Sequence, residues 1–197
     1  MIITVASFKG GVGKTTTAVH LATFLQKQND TLLIDGDPNR SSTGWAKRGK
    51  LPFRVVDERQ AARFSRDYQN IVIDTAARPS QEDLEALAEG CDLLIIPSTP
   101  DAMSLEALTL TVHALQGLAP NRYRILLTMI PPKPSRDGEE AREMLEEANL
   151  PLFAASIRRI SAFQKAALQG VPVCDVKDPR AELGWQDYQA VGEELMR

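Results

Sequence analysis

The chain has 197 residues, 43% hydrophobic and 25% charged, with a formal net charge of −3. That length supports one domain with a sizeable core, and the mild acidity excludes a globally basic nucleic-acid binder, so any such contact must come from a local patch. Cys91 and Cys174 have no C-x-x-C partner, which argues against a disulfide framework, and no apolar run nears the ~18 residues of a membrane span. With neither a basic leader nor a cleavage signature at the N-terminus, the expected location is the cytoplasm.

Apolar runs and helical periodicities then alternate along the chain. Ile2 to Ser7 reads as a strand. Lys14 to Gln28 reads as a helix with Ala18, Leu21, Ala22 and Leu25 on one face. Thr31 to Asp37 is a second strand ending in acids, Phe53 to Glu58 a weaker one, and "NIVIDTAA" (Asn70 to Ala77) holds a short buried strand that ends in Asp74. Ser80, ahead of Glu82 and Asp83, is a helix N-cap for the segment to Glu89. Cys91 to Pro97 is a strand, Ala102 to about Gln116 a helix, and Tyr123 to Ile130 a strand. The prolines after it break the chain before a helix over Glu139 to Ala148. Pro151 to Ser156 reads as a short strand, and Arg180 to Met196 as a last helix. Strands apolar on both faces, alternating with helices, predict a mostly parallel twisted sheet covered on both sides. With no linker, repeat or low-complexity stretch, the expectation is a single α/β domain over residues 1–197.

The chemistry begins in "SFKGGVGKTT". A phosphate-binding loop reads G-x-x-x-x-G-K-S/T, and Gly13, Lys14 and Thr15 supply its end, but position 8 holds Phe8 where the first glycine belongs. Instead Gly10 and Gly11 precede Val12, and a second lysine, Lys9, precedes them. The glycines let backbone N–H groups converge on phosphate oxygens, and the helix that follows adds its dipole. Lys14 reaches the β- and γ-phosphates, while Thr15 offers a hydroxyl to Mg²⁺. "DGDP" places Asp35 and Asp37 beyond the second strand, where ligands of such sheets bind; taken alone it is an ordinary turn. Asp74, ending "IVID", has the layout of a Walker B acid that holds Mg²⁺.

"KGGVGKTT", "DGDPN", "IVIDTAA" and "CDLLIIPSTPDAMSLEAL" together resemble the deviant-Walker ATPases of the ParA/MinD group, a P-loop NTPase family, over nearly the whole chain. The resemblance implies a role for each lysine. Lys14 serves the nucleotide of its own subunit, and Lys9 matches the signature lysine that crosses an ATP-sandwich homodimer to the partner's phosphates. Gly10, Gly11, Val12, Gly13, Thr15 and Thr16 complete the nucleotide loop. Asp37 matches the acid that positions the attacking water, Asp35 the one that supports metal and loop, and Asp74 the metal acid. Met129 and Pro131, in "MIPPK", would help hold the base. Ala76 and Ala77 depart from the proline that many relatives carry after the Walker B acid.

Within the group the chain is most like the small ParA partition and positioning ATPases, which lack an N-terminal helix-turn-helix domain. Those dimers bind DNA without sequence preference, and Arg158, Arg159 and Lys165 are the candidate contacts here; "WAKRGK" (Trp45 to Lys50) reads as a solvated charged face. The resemblance implies ATP and Mg²⁺ as cofactors, slow partner-stimulated ATP hydrolysis, and a ParB-like or McdB-like adaptor that links the ATPase to a plasmid or a protein body such as the carboxysome. It also implies association with the nucleoid. A MinD-like membrane switch would need a basic terminal helix, and Asp187, Glu193 and Glu194 make this one acidic. A metabolic ATP-dependent enzyme of the same fold is the other alternative. The two cysteines, His20 and His113 read as structural.

Overall fold

In the computed structural model, residues 1–115 and 122–197 are described; for residues 81, 110, 111, 113 and 114 the description covers the backbone alone. Among the described residues the strands are β1 (Ile2–Ser7), β2 (Thr31–Gly36), β3 (Arg54–Asp57), β4 (Asn70–Ala77), β5 (Leu93–Ser98) and β6 (Tyr123–Leu127). They form one sheet in the order β3-β2-β4-β1-β5-β6, with every neighbouring pair parallel. The helices are α1 (Lys14–Gln26), α2 (Ser41–Arg48), α3 (Glu58–Phe64), α4 (Gln81–Glu89), α5 (Ala102–Ala114), α6 (Asp137–Glu147), α7 (Ser161–Gln169) and α8 (Ala181–Leu195).

Successive strand residues point to opposite faces, and two cores follow. Leu33, Val72, Ile95 and Leu126 face α1, α2, α7 and α8, while Leu94, Ile96, Ile125 and Leu127 face α4, α5 and α6. A smaller cluster of Leu32, Ile34, Val56 and Ile71 lies under α3. The sheet is thus covered on both sides, as its doubly apolar strands require.

Helix α1 is buried from Thr17 through Leu25, not along one face. It lies between the sheet and α8, and a Cβ on Gly192 of α8 would sit 2.4 Å from the Phe24 ring. Trp185, Tyr188 and Val191 of α8 are buried in the same core. Among the described residues no helix is long and apolar enough to cross a membrane.

Three departures from the sequence reading have physical causes. The segment from Pro151 to Ser156 runs beside β6 but makes only isolated bridges at Leu152 and Arg158. Between them the N–H groups of Ala154 and Ala155 donate to the Glu194 carboxylate instead of to a strand. Helix α2 was not legible, because its start is tied down by distant carboxylates rather than by its own propensity. Helix α3 carried a signal: Asp57 caps it, accepting from the Arg59 N–H. Helix α5 contains His113, whose side chain lies outside the described residues, as does the expected helix end at Gln116.

Candidate functional site

The register collects the site at the carboxyl edge. Asp74 on β4 stands beside Val5 of β1 on one side and Asp35 of β2 on the other. The chain leaves β1 at Ser7 and turns through the glycine loop into α1. Gly11 and Gly13 have φ of 80° and 90°, a left-handed backbone that glycine alone adopts without cost. A Cβ built at Gly10 or Gly11 would meet nothing within 4 Å. The loop therefore encloses open space, and the first N–H groups of α1, unpaired within a helix, open onto it. The Thr128 hydroxyl donates to the Val12 carbonyl, pinning the loop to the end of β6.

Lys14 is buried at the start of α1. Burial pulls its pKa down, and the Asp74 and Asp37 carboxylates oppose that shift. It lines a cleft of about 340 Å³ together with Gly10, Gly11, Gly13, Thr15, Thr16, Asp37, Asn39 and Ser41. Asp37 Oδ1 accepts from the Asn39 backbone and side chain, and Oδ2 from the Ser41 hydroxyl. Asp74 is fully buried. Its Oδ2 accepts from Ser42 at 2.7 Å, while Oδ1 has no hydrogen-bond partner. Burial pushes this carboxyl up to about 6, against the Ser42 and Thr15 hydroxyls and the Lys14 charge. A buried acceptor oxygen left unpaired beside a threonine hydroxyl fits a hard divalent cation.

Asp35, expected to support metal and loop, holds the loop through both carboxylate oxygens. Its Oδ1 accepts from the Asp37 N–H and its Oδ2 from the Thr43 N–H at 2.7 Å. Both oxygens brace the loop after β2 and the start of α2. The loop is closed by Arg40, whose φ is 54° and whose guanidinium donates to the Asp35 carbonyl. Arg78 after β4 and Met129 after β6 also have positive φ, so three loops bordering the cleft hold non-glycine residues in a costly conformation, as functional sites tend to.

Lys9 stands apart from Lys14. It lines a separate groove with Pro131, Thr99, Asp101 and Arg159. Its ammonium is bound to Asp101 Oδ1 at 2.8 Å and Ser104 Oγ at 2.7 Å. Met129 borders the Lys14 cleft, the Lys9 groove and a third, apolar groove of about 240 Å³. That third groove, next to Gly13 and Thr16, is walled by Thr128, Ile157, Ile160, Phe163 and Gln164. It has the flat apolar lining that suits a base. Pro131 is not among its walls and lines the Lys9 groove instead.

The three candidate DNA contacts differ in their partners. Arg158 forks onto Asp187, Nε to Oδ2 at 2.8 Å and Nη2 to Oδ1 at 2.7 Å, a bidentate pair. Lys165 is bound to Asp178. Arg159 is exposed and makes no ion pair among the described residues; it borders both the Lys9 groove and the apolar one. Sequence reasoning missed Thr99, and also Ser42, Asp101 and Ser104, whose partners Asp74 and Lys9 lie far away in the chain. It also missed Ile160, Phe163 and Gln164, on or beside a helix it did not expect.

A family model described as the CobQ/CobB/MinD/ParA nucleotide binding domain matches residues 3–173. The maintenance of carboxysome distribution protein A of Gloeobacter kilaueensis is 35% identical, the match covering 100% of this chain and 94% of that protein. A candidate plasmid partition protein of Borrelia burgdorferi bound to AMPPNP superposes with a TM-score of 0.73 at 24% identity, over 99% of this chain and 98% of that one. The ATP complex of a Cyanothece McdA variant gives 0.72 at 19% identity, over 97% and 96%. These two likenesses support the P-loop NTPase fold.

Proposed function

The chain belongs to the CobQ/CobB/MinD/ParA nucleotide-binding domain family, and from that premise we propose that it is a positioning ATPase that dimerises around ATP, binds DNA without sequence preference and is released from it by hydrolysis. The observation that carries this reading is the separation of its two loop lysines. Lys14 lines the phosphate cleft with Thr15 and Asp37, while Lys9 lines a different groove. A lysine that lies outside its own phosphate cleft is placed to serve another subunit's once its own contacts to Asp101 and Ser104 are released.

In this reading the loop N–H groups and Lys14 hold the β- and γ-phosphates, and the apolar groove at Met129, Ile160 and Phe163 takes the adenine. Thr15 and Asp74 hold Mg²⁺, which when bound offsets phosphate charge and polarises the γ-phosphoryl group. Asp37 orients the attacking water, with its carboxylate aimed by Asn39 and Ser41. Lys9 of a second copy adds positive charge to the same phosphates in a water-poor interface, where charge pairing counts for more than in bulk solvent. ATP then acts as the glue of the dimer, and its hydrolysis as the release.

The match to a carboxysome distribution protein over nearly the full length of both chains supports a protein body as the cargo, with a plasmid as the other member of the same class. We read residues 1–197 as one such domain, on the strength of its single sheet. An adaptor protein stimulates hydrolysis in this scheme, and the ATPase resides on the nucleoid in the cytoplasm. The test is a mobility shift on nonspecific DNA with ATP, ADP or no nucleotide at two salt concentrations, alongside sedimentation of the protein alone. The expected result is an ATP-dependent dimer and an ATP-only shift that weakens with salt. Monomers with ATP, or fast turnover without any partner, would favour a metabolic enzyme of the same fold.

A further inference from the structure

Lys9 is not a loose arm. Its backbone is clasped by Ser7, whose Oγ accepts from the Lys9 N–H and donates to the Lys9 carbonyl. Its ammonium sits on the turn between β5 and α5, held by Asp101 and Ser104. Asp101 is itself fixed. It precedes the first residue of α5 and accepts from the Ser104 N–H, while its Oδ2 accepts from the Thr99 and Ser104 hydroxyls. Lys9, followed by the Thr99 hydroxyl, holds the Asp101 carboxyl well below the usual carboxylate range. None of these three residues borders the Lys14 cleft, so phosphate binding within one subunit does not call for the arrangement.

We propose that Asp101, with Thr99 and Ser104, is a positioning latch that keeps Lys9 in its own subunit and so sets how readily ATP drives dimerisation. The proposal rests on the dimer reading above. A lysine bound in cis cannot reach a second copy's phosphates, so each subunit must first give up the Asp101 pair. The apparent dimer affinity is then reduced by the fraction of subunits whose Lys9 is released. An ion pair as exposed as this one, 31% for Lys9 and 52% for Asp101, shifts that fraction by up to about fivefold. Two latches open per dimer, so the dissociation constant moves by on the order of twentyfold. ATP has to supply that difference, which leaves the protein monomeric without nucleotide.

The experiment compares the full chain with its Asp101→Asn, Asp101→Glu, Ser104→Ala and Lys9→Ala variants by sedimentation equilibrium with a non-hydrolysable ATP analogue and Mg²⁺. Asparagine caps a helix as well as aspartate does, so Asp101→Asn removes the charge and keeps the start of α5. Ser104→Ala weakens the same latch with the carboxylate in place. The expected result is dimerisation on the order of tenfold or more tighter in Asp101→Asn, a smaller gain in Ser104→Ala, and near wild-type behaviour in Asp101→Glu. Nucleotide affinity of the dilute monomer should stay unchanged in all three, a readout that a merely unfolded α5 would not preserve. Wild-type dimerisation with no gain in either Asp101→Asn or Ser104→Ala overturns the latch alone. A wild type that stays monomeric with the analogue, or a Lys9→Ala variant that dimerises normally, overturns the dimer reading and the latch with it.

Discussion

Two buried groups, one in the core and one in the site, titrate in the same pH window with opposite sign. His20 is fully buried on α1, stacked on Tyr188 with ring centroids 4.8 Å apart, and its Nε2 accepts from the Val173 N–H. Burial pulls it down to about 4 from 6.5. The unfolded chain therefore takes up that proton first, and stability present above pH 6.5 is lost as pH falls toward 4. Asp74 runs the other way. Its folded value of about 6 lies above the ordinary 3.8, so the folded state binds the proton first and stability is lost as pH rises from about 4 to 6. Each effect is on the order of 3 kcal/mol, and they largely offset. Asp74→Asn should remove one of them. Urea unfolding in the presence of a chelator should find the variant equal to wild type near pH 4 and more stable by up to about 3 kcal/mol above pH 6; a difference independent of pH would falsify the assignment. The same substitution should abolish Mg²⁺-dependent hydrolysis, since it removes the carboxylate that would hold the cation. At the neighbouring position, Asp37→Ala should keep ATP and trap the dimer, because it removes the water's orienting group and leaves the phosphate loop intact. Sedimentation with ATP and Mg²⁺ checks this, and a persistent monomer would count against the role given to Asp37.

At the scale of elements, the region around α2 links the phosphate cleft to α7. Helix α2 begins with Ser42 on Asp74 and the Thr43 N–H on Asp35, and just past its end, at Gly49, it meets the turn after α7. There Gly49 and Gly170 cross backbone on backbone: a Cβ on Gly49 would lie 2.1 Å from the Gln169 carbonyl oxygen, and one on Gly170 would lie 2.2 Å from the Gly49 nitrogen. Gly170 also has φ of 70°. Arg48 Nε adds a bond to the Ala167 carbonyl and Trp45 Nε1 one to Val171. The loop after β2 is thus connected through α2 to the helix that bears Phe163 and Gln164. Gly170→Ala combines a left-handed backbone with a collision, so it should cost about 2–4 kcal/mol. The urea midpoint should fall accordingly, and an unchanged midpoint would show that the crossing is looser than drawn.

For the whole molecule, charge placement decides which basic residues face outward. Asp187 is largely buried, and Arg158 answers it with a bidentate pair plus its own N–H. Arg158→Ala should therefore lower the melting temperature, by an amount matching about 1 kcal/mol since the guanidinium stays 42% exposed. Arg159 has no such duty among the described residues and borders two open grooves. Arg159→Glu should leave the melting temperature within a degree or so of wild type while weakening ATP-dependent retention on DNA. Paired melting and mobility-shift measurements separate the two arginines; retention lost in Arg158→Ala and kept in Arg159→Glu would reverse the assignment.

The sequence by itself determined the six strands of the sheet, helices α1, α4, α5, α6 and α8 and the phosphate loop, because apolar runs, helical periodicity and a glycine cluster are local properties read within a few residues; α2, α3 and α7 were not read from it. Ser80 as a helix cap and the core side of α8 were legible for the same reason, whereas β4 runs past Asp74 to Ala77. Only the tertiary structure decided what each charge does. Asp35 braces a loop because two N–H groups from beyond its strand converge on it. Lys9 is held in cis because β5 and α5 bring Asp101 and Ser104 to it from more than ninety residues away. Arg158 is committed to Asp187 across 29 residues. Patterning reports which side chains must be buried, but a hydrogen bond or ion pair is a contact of a few ångströms, and residues far apart in sequence acquire that distance only when the sheet and its helices have packed.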